Sequence, residues 1–179
     1  MKKNLVNDRG IFNLKSVPFG AAQDLELTEK DAFLNELLGE LSEEVTDEIG
    51  VSDGKVIGIS FTGNIIHDRN IKFGECGIIK GVLSSHFPAI CSSSGILIID
   101  SLSTEVNACF VSEEFKEDKP GYDREVDILI GEVVYDLYYY DRFFCDFREC
   151  LHEYAFLAKN QYPKKVEPIQ TNEEGDLPQ

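Results

Sequence analysis

The sequence predicts an α+β fold, with an antiparallel β-sheet drawn from residues 55–140, an acidic helix over 28–48 and a C-terminal helix over 146–159. Three observations predict it. Apolar residues recur at helical spacing in two stretches, one near each end of the chain. Between them, short β-branched runs are separated by Gly, Ser and Asn with no helical pattern in between, which favours antiparallel strands over βαβ units. Finally, 179 residues that are 42% hydrophobic and 11% aromatic make one domain with a proper core. A chain of this size buries roughly 70% of its unfolded surface and needs no disulfides to fold.

The elements follow in chain order. Residues 1–23 carry Gly10, Pro18 and Gly20 among short apolar pieces and read as an extended arm with one short strand. Thr28 and Asp31 form a capping pair, with Asp as a shorter stand-in for the usual Glu. Phe33, Leu34, Leu37, Leu38, Leu41 and Val45 then fall on one helical face, and Gly50 ends the segment. Strand-like runs begin at Val56 and continue through Phe61 and Asn64–Ile66, with a turn at Asp68-Arg69-Asn70. Further runs cover 71–73, 77–83, 96–99 and 106–111, with a tight polar turn at Cys91-Ser92-Ser93-Ser94-Gly95. Residues 113–127 form a charged loop around Pro120-Gly121, and 127–140 supply one more strand. Asp146 caps the second helix, with Glu149 three residues on, and Phe147, Cys150, Leu151, Tyr154, Leu157 and Ala158 make its apolar stripe. That helix ends near Asn160, ahead of Pro163. The domain spans 1–163, and the polar residues 164–179 form a disordered tail.

The formal net charge is −16. Binding to phosphate backbones or anionic lipid depends on Lys and Arg releasing counterions, so this balance argues against direct nucleic-acid binding and for a basic protein partner. The charge is concentrated: from Asp24 to Asp53 there are eleven acidic residues against one basic, Lys30. Glu36, Glu40, Glu43, Glu44 and Asp47 are the candidate acidic contact surface, which would steer a cationic partner; the same face also serves solubility. No run of apolar residues long enough to span a membrane is present. Five scattered cysteines and no export signal predict reduced thiols in a cytoplasmic protein.

No constellation carries recognisable chemistry. Cys91 and Ser94 have Cys-x-x-Cys spacing with the second thiol replaced, and no matching pair stands elsewhere for a structural zinc site. Glu149-x-x-His152 occurs once, whereas a di-iron bundle needs it twice. There is no nucleophile elbow, phosphate-binding glycine loop or dinucleotide fingerprint. His86 and Cys91 lie five apart along a strand and therefore face opposite ways. The aromatic residues Tyr135, Tyr138, Tyr139, Tyr140, Phe143 and Phe144 lack the interleaved cations of a nucleobase platform and read as core packing or a protein-binding patch. No catalytic group, metal or cofactor is assigned.

The order of residues resembles the YceD family, bacterial and plastid proteins associated with accumulation of large-subunit ribosomal RNA. The residues that carry this are Gly81 in a strand, then Cys91-x-x-Ser94-Gly95, then a helix opened by Asp146-Phe147 that carries Leu151, Glu153 and Leu157 and leads to Pro163. The match covers about residues 55–163. Ser94 stands where many members have a second Cys, Phe147 where Leu is usual, and Asn160 where a Pro often ends the helix. The resemblance implies a non-enzymatic role in large ribosomal subunit biogenesis, and the charge adds that the partner is a basic ribosomal protein or large-subunit precursor. Two other readings stand beside it. One is a small thiol- or metal-dependent enzyme around Cys91, His86 and Cys76; the other is an acidic inhibitor of a basic protein.

Overall fold

The computed structural model describes residues 5–42, 56–116 and 127–164. Within them the fold is α+β, with a mostly antiparallel sheet, a second small sheet and two helices. The strands are β1 (Ile11–Asn13), β2 (Ala22–Thr28), β3 (Gly58–Asn70), β4 (Gly74–Ile90), β5 (Leu97–Ser112), β6 (Asp127–Ile130), β7 (Val133–Tyr140) and β8 (Phe144–Asp146). The helices are α1 (Ala32–Leu41) and α2 (Phe147–Ala158). The main sheet has the order β2-β3-β4-β5-β7-β6, and β1 pairs with β8.

Several expectations are corrected. The sheet does not start at residue 55: β2 bridges the end of the expected arm and the start of the expected helix, where Leu25 and Leu27 alternate with exposed Asp24 and Glu26. The pairing is not wholly antiparallel, because β5 and β7 run parallel from Ala108↔Asp136 to Ser112↔Tyr140. Residues 127–140 give two strands, joined by Gly131-Glu132 with Gly131 at φ +65°. This two-residue turn needs a left-handed first position, which glycine supplies. The first helix begins at Ala32, four residues later than expected, and its expected continuation over 43–48 lies outside the described residues. The Thr28–Asp31 pair is real but works differently. Asp31 Oδ2 accepts from the Thr28 N–H at 2.9 Å, closing a turn between β2 and α1, and Asp31 itself is the N-cap residue. Residues 113–116 of the expected loop form a single 3-10 turn, and 117–126 and the tail 165–179 lie outside the described residues.

The turn expected at 68–70 falls slightly later. Asn70 Oδ1 accepts from the N–H groups of Lys72 and Phe73, and Gly74 at φ +66° re-enters β4. The turn at 91–95 is as expected: Gly95 at φ +67° donates to the Cys91 carbonyl, and Cys91 donates to that of Ile96.

The hairpin of β3 and β4 carries a bare glycine pair under an aromatic ring. Gly63 and Gly81 face each other in the register, and the buried ring of Phe61 lies across them. A β-carbon on Gly81 would stand 2.5 Å from Phe61 Cζ and 2.6 Å from the Thr62 carbonyl. Phe61 meets Phe147 edge to face at 5.1 Å, Phe147 meets Phe12 at 6.3 Å, and Phe12 meets Phe110 at 5.7 Å. This row runs through the main core, which both helices close with Phe33, Leu34, Leu37, Leu41, Cys150, Leu151 and Ala155. A smaller core of Phe73, Cys76, Cys109, Val111 and Tyr135 forms separately under the β6–β7 hairpin.

Overpacking of this kind costs about 1–3 kcal/mol, so Gly81→Ala should lower unfolding stability by that order in urea titration. In a Phe61→Leu background the same change should recover only part of that cost, since the clash with the Thr62 carbonyl and the Gly63 backbone remains.

Candidate functional site

The residues singled out from the sequence fall into three places. Gly81 underlies Phe61 and is architectural. Cys91 is buried in the main core, its sulfur 3.2 Å from the Ser93 hydroxyl, while Ser94 and Gly95 are exposed on the turn. This turn is tied to the C-terminal segment, because the Ser92 N–H donates to the Pro163 carbonyl at 2.8 Å. Asp146 caps α2, its Oδ1 accepting from the Glu149 N–H at 2.9 Å. Glu153 is exposed one turn further along the same helix face as Glu149.

The acidic surface is only partly open. Arg148 on α2 reaches Glu36 at 3.1 Å and Glu40 at 3.4 Å, and His152 reaches Glu40 at 2.9 Å. These two carboxylates therefore tie α1 to α2. Glu43, Glu44 and Asp47 lie outside the described residues.

The residues of the thiol reading are kept apart. Cys91 sits in the main core, Cys76 in the smaller one, and His86 is exposed on the strand face opposite Cys91. Burial pushes the thiols of Cys145 and Cys150 up. Cys76 is held down by a hydrogen bond from Cys109, whose own thiol is pushed up by that bond and by burial. Among the described residues, no group of three or more His, Cys, Asp or Glu side chains is placed to hold a metal ion.

What the fold does assemble is a cleft of about 430 Å³ between β7 and α2. Glu149, Glu153 and Leu157 line one wall from successive turns of the helix, and Asp136, Tyr138 and Tyr139 line the other. Glu113 and Lys116 close one end. Tyr138 stacks on Phe110 at 5.3 Å, so the aromatic row of the core emerges here, and its hydroxyl donates to Glu153 at 2.8 Å. The Tyr154 hydroxyl accepts from the Asn107 N–H and has one proton to give, with Asp136 Oδ2 and the Asn107 carbonyl both within reach of it. Four carboxylates thus surround half-buried phenol faces, with Lys116 standing 5.6 Å over the Tyr139 ring as the one cation of the lining among the described residues. Such a site attracts a Lys or Arg side chain twice over, by charge and by the ring faces.

Sequence reasoning placed Tyr138 and Tyr139 in a core or partner patch and left Asp136, Glu149 and Leu157 unassigned as site residues. The usable signal was the i, i+4, i+8 spacing of Glu149, Glu153 and Leu157. Nothing local, however, places that face against β7.

A second cleft of about 450 Å³ lies around the β7–β8 turn, where Arg142 and Phe143 hold φ of +48° and +68°. A bulky residue in this region is strained. Phe143 is fixed there by a stack on Tyr140 at 5.4 Å, by Lys15 at 4.0 Å over its ring, and by its carbonyl accepting from the Leu14 N–H at 2.8 Å. The lining carries Arg69 and Arg142 against Glu75, Glu113, Glu114 and Asp141, with Glu75 engaged by His67 and Asp141 by Arg142.

Comparison with protein-family models gave no match to this chain, and comparisons with curated proteins and with solved structures gave none either.

The cleft has a titration signature. Burial raises the phenols of Tyr138 and Tyr154, and burial also raises Tyr140 behind it to about 12. An unfolded phenol ionises near 10, so above that pH the unfolded chain loses protons that the folded chain keeps. Folding stability should therefore fall as pH rises from about 10 through 12. The urea midpoint should follow this fall in the wild type, and the slope should flatten in Tyr138→Phe.

Proposed function

We propose that this chain is a non-enzymatic factor in large ribosomal subunit biogenesis that acts in the cytoplasm by binding a basic ribosomal protein. The observation that carries the reading is the β7–α2 cleft, in which Glu113, Asp136, Glu149 and Glu153 surround half-buried tyrosine faces. A net charge of −16 makes direct grip on RNA phosphates unfavourable and steers cationic protein segments toward the same surface. The ribosomal context comes from the resemblance to the YceD family. Among the described residues, no helix is long and apolar enough to cross a membrane.

Binding would proceed in two stages. The acidic field, to which the acid-rich segment 24–53 contributes, accelerates encounter. The cleft then holds one or two Lys or Arg side chains of the partner, whose stems lie along Leu157 and the tyrosine rings while their heads meet the carboxylates. This chain would keep such a protein soluble and away from premature RNA contact until it docks.

The test is binding to the basic proteins extracted from purified large ribosomal subunits. Glu149→Lys with Glu153→Lys should weaken capture roughly tenfold at moderate salt, as expected for charge pairs at a partly desolvated site. Asp24→Lys with Glu26→Lys makes the same change in net charge on the far edge strand, β2, and should have a much smaller effect. Equal losses in the two variants would mean that the cleft has no special role.

A further inference from the structure

The main sheet has an open edge in its interior. The register of β4 and β5 runs without a bulge from Ile90↔Leu97 to Gly77↔Phe110, and it closes at the turn with the Cys91 N–H donating to the Ile96 carbonyl. In an antiparallel ladder the hydrogen-bonded pairs alternate. Even-numbered residues of β5 therefore aim their N–H and C=O at β4, and odd-numbered residues aim theirs away. On that far side β7 pairs with β5 only from Ala108 onward. At the next outward-facing residue, Asn107, the N–H donates to the Tyr154 hydroxyl, which also lies 2.8 Å from the Asn107 carbonyl, and here the β7 ladder stops.

Beyond it, Leu97, Ile99, Ser101, Ser103 and Glu105 present their backbone groups to the open side. Among the described residues, the one contact recorded to these groups is the Thr104 hydroxyl, 3.4 Å from the Glu105 carbonyl. Ser101, Ser103 and Glu105 are exposed. An unpaired row of this length is a ready template for another strand.

We propose that the β5 edge over residues 97–105 takes up an extended basic segment of the partner protein as an added strand, in the row that β7 vacates. The occupant is fixed by charge. The vacant row ends at Asp136 and Tyr154, beside Glu149 and Glu153, and Glu105 lies on the edge itself. An extended chain with Lys or Arg at alternate positions would complete the ladder with its backbone and would reach the cleft carboxylates with its side chains. This rests on the basic-partner reading and adds to it the conformation in which the partner binds.

The test uses the full chain and two synthetic peptides that alternate lysine and threonine and are long enough to run along 97–105. One has an ordinary backbone; in the other, alternate amides are N-methylated, which keeps every charge but removes the donors. The ordinary peptide should bind at least about tenfold more tightly, the difference of one or two net hydrogen bonds. It should also slow amide exchange at Leu97, Ile99, Ser101, Ser103 and Glu105. Ser103→Pro removes one outward donor and leaves the β4 ladder intact, so it should keep the wild-type melting temperature and lose the preference; Ser103→Thr should retain it.

Equal binding of the two peptides would overturn edge pairing while leaving charge recognition standing. If neither peptide bound, the basic-partner reading would fall with it. If sedimentation without peptide showed a dimer in which the same five amides are protected, the edge would belong to a second copy of this chain, and the proposal would be overturned.

Discussion

The contact on which the structure depends is the ring of Phe61 lying on the bare backbones of Gly63 and Gly81. Two side-chain-free residues facing each other let an aromatic ring descend to the sheet surface. From there the edge-to-face row through Phe147, Phe12 and Phe110 fixes the start of α2, the short β1 strand and the C-terminal end of β5 in one continuous core. The row ends at Tyr138, whose hydroxyl holds Glu153. A glycine in β4 is thereby connected, through packed rings, to a carboxylate on the far side of α2. Edge-to-face pairs in such a row are worth about 0.5–1.5 kcal/mol each beyond the area they bury.

The distribution of charge follows from the same packing. α1 turns Phe33, Leu34, Leu37 and Leu41 inward, which leaves its glutamates at the boundary with α2. There Arg148 and His152 engage Glu36 and Glu40. Partly exposed ion pairs add little stability, so their main effect is to set the relative placement of the helices and to remove two carboxylates from the free acidic surface. Among the described residues, the carboxylates of the β7–α2 cleft meet no such arginine; Lys116 and phenol hydroxyls stand against them.

How much could be read from the sequence depended on how local each signal was. The cap, the bounds and the first half of the apolar stripe of α2 were legible because they lie within fifteen or so residues of helical spacing, but Leu157 and Ala158 of the expected stripe are exposed and Ala155 is buried instead. The Cys91–Gly95 turn was legible because a left-handed glycine after a polar run has few other uses. The start of α1 was misplaced because the Thr28–Asp31 contact exists but closes a turn. β2 was hidden because its alternation of Leu with Asp and Glu sits inside an acid-rich stretch that also suits a helix surface. Gly63 fell between two short strand runs and Gly81 inside another, and that the two face each other across one ladder cannot be told without the register. The parallel pairing of β5 with β7 is wholly non-local, and the cleft depends on it. Glu149 and Glu153 could be placed on one helix face from spacing, but what they face could not.

The central claim is that the carboxylates of the β7–α2 cleft support large-subunit assembly. The most direct measurement is a sucrose-gradient profile, with ribosomal RNA quantified across fractions, of cells depleted of this protein and complemented with either the wild type or the Glu149→Lys, Glu153→Lys variant. The account expects depletion to reduce large subunits and accumulate precursor large-subunit RNA, the wild type to restore the profile, and the variant to fail although it is folded and expressed. An unchanged profile on depletion, or full restoration by the variant, would contradict it.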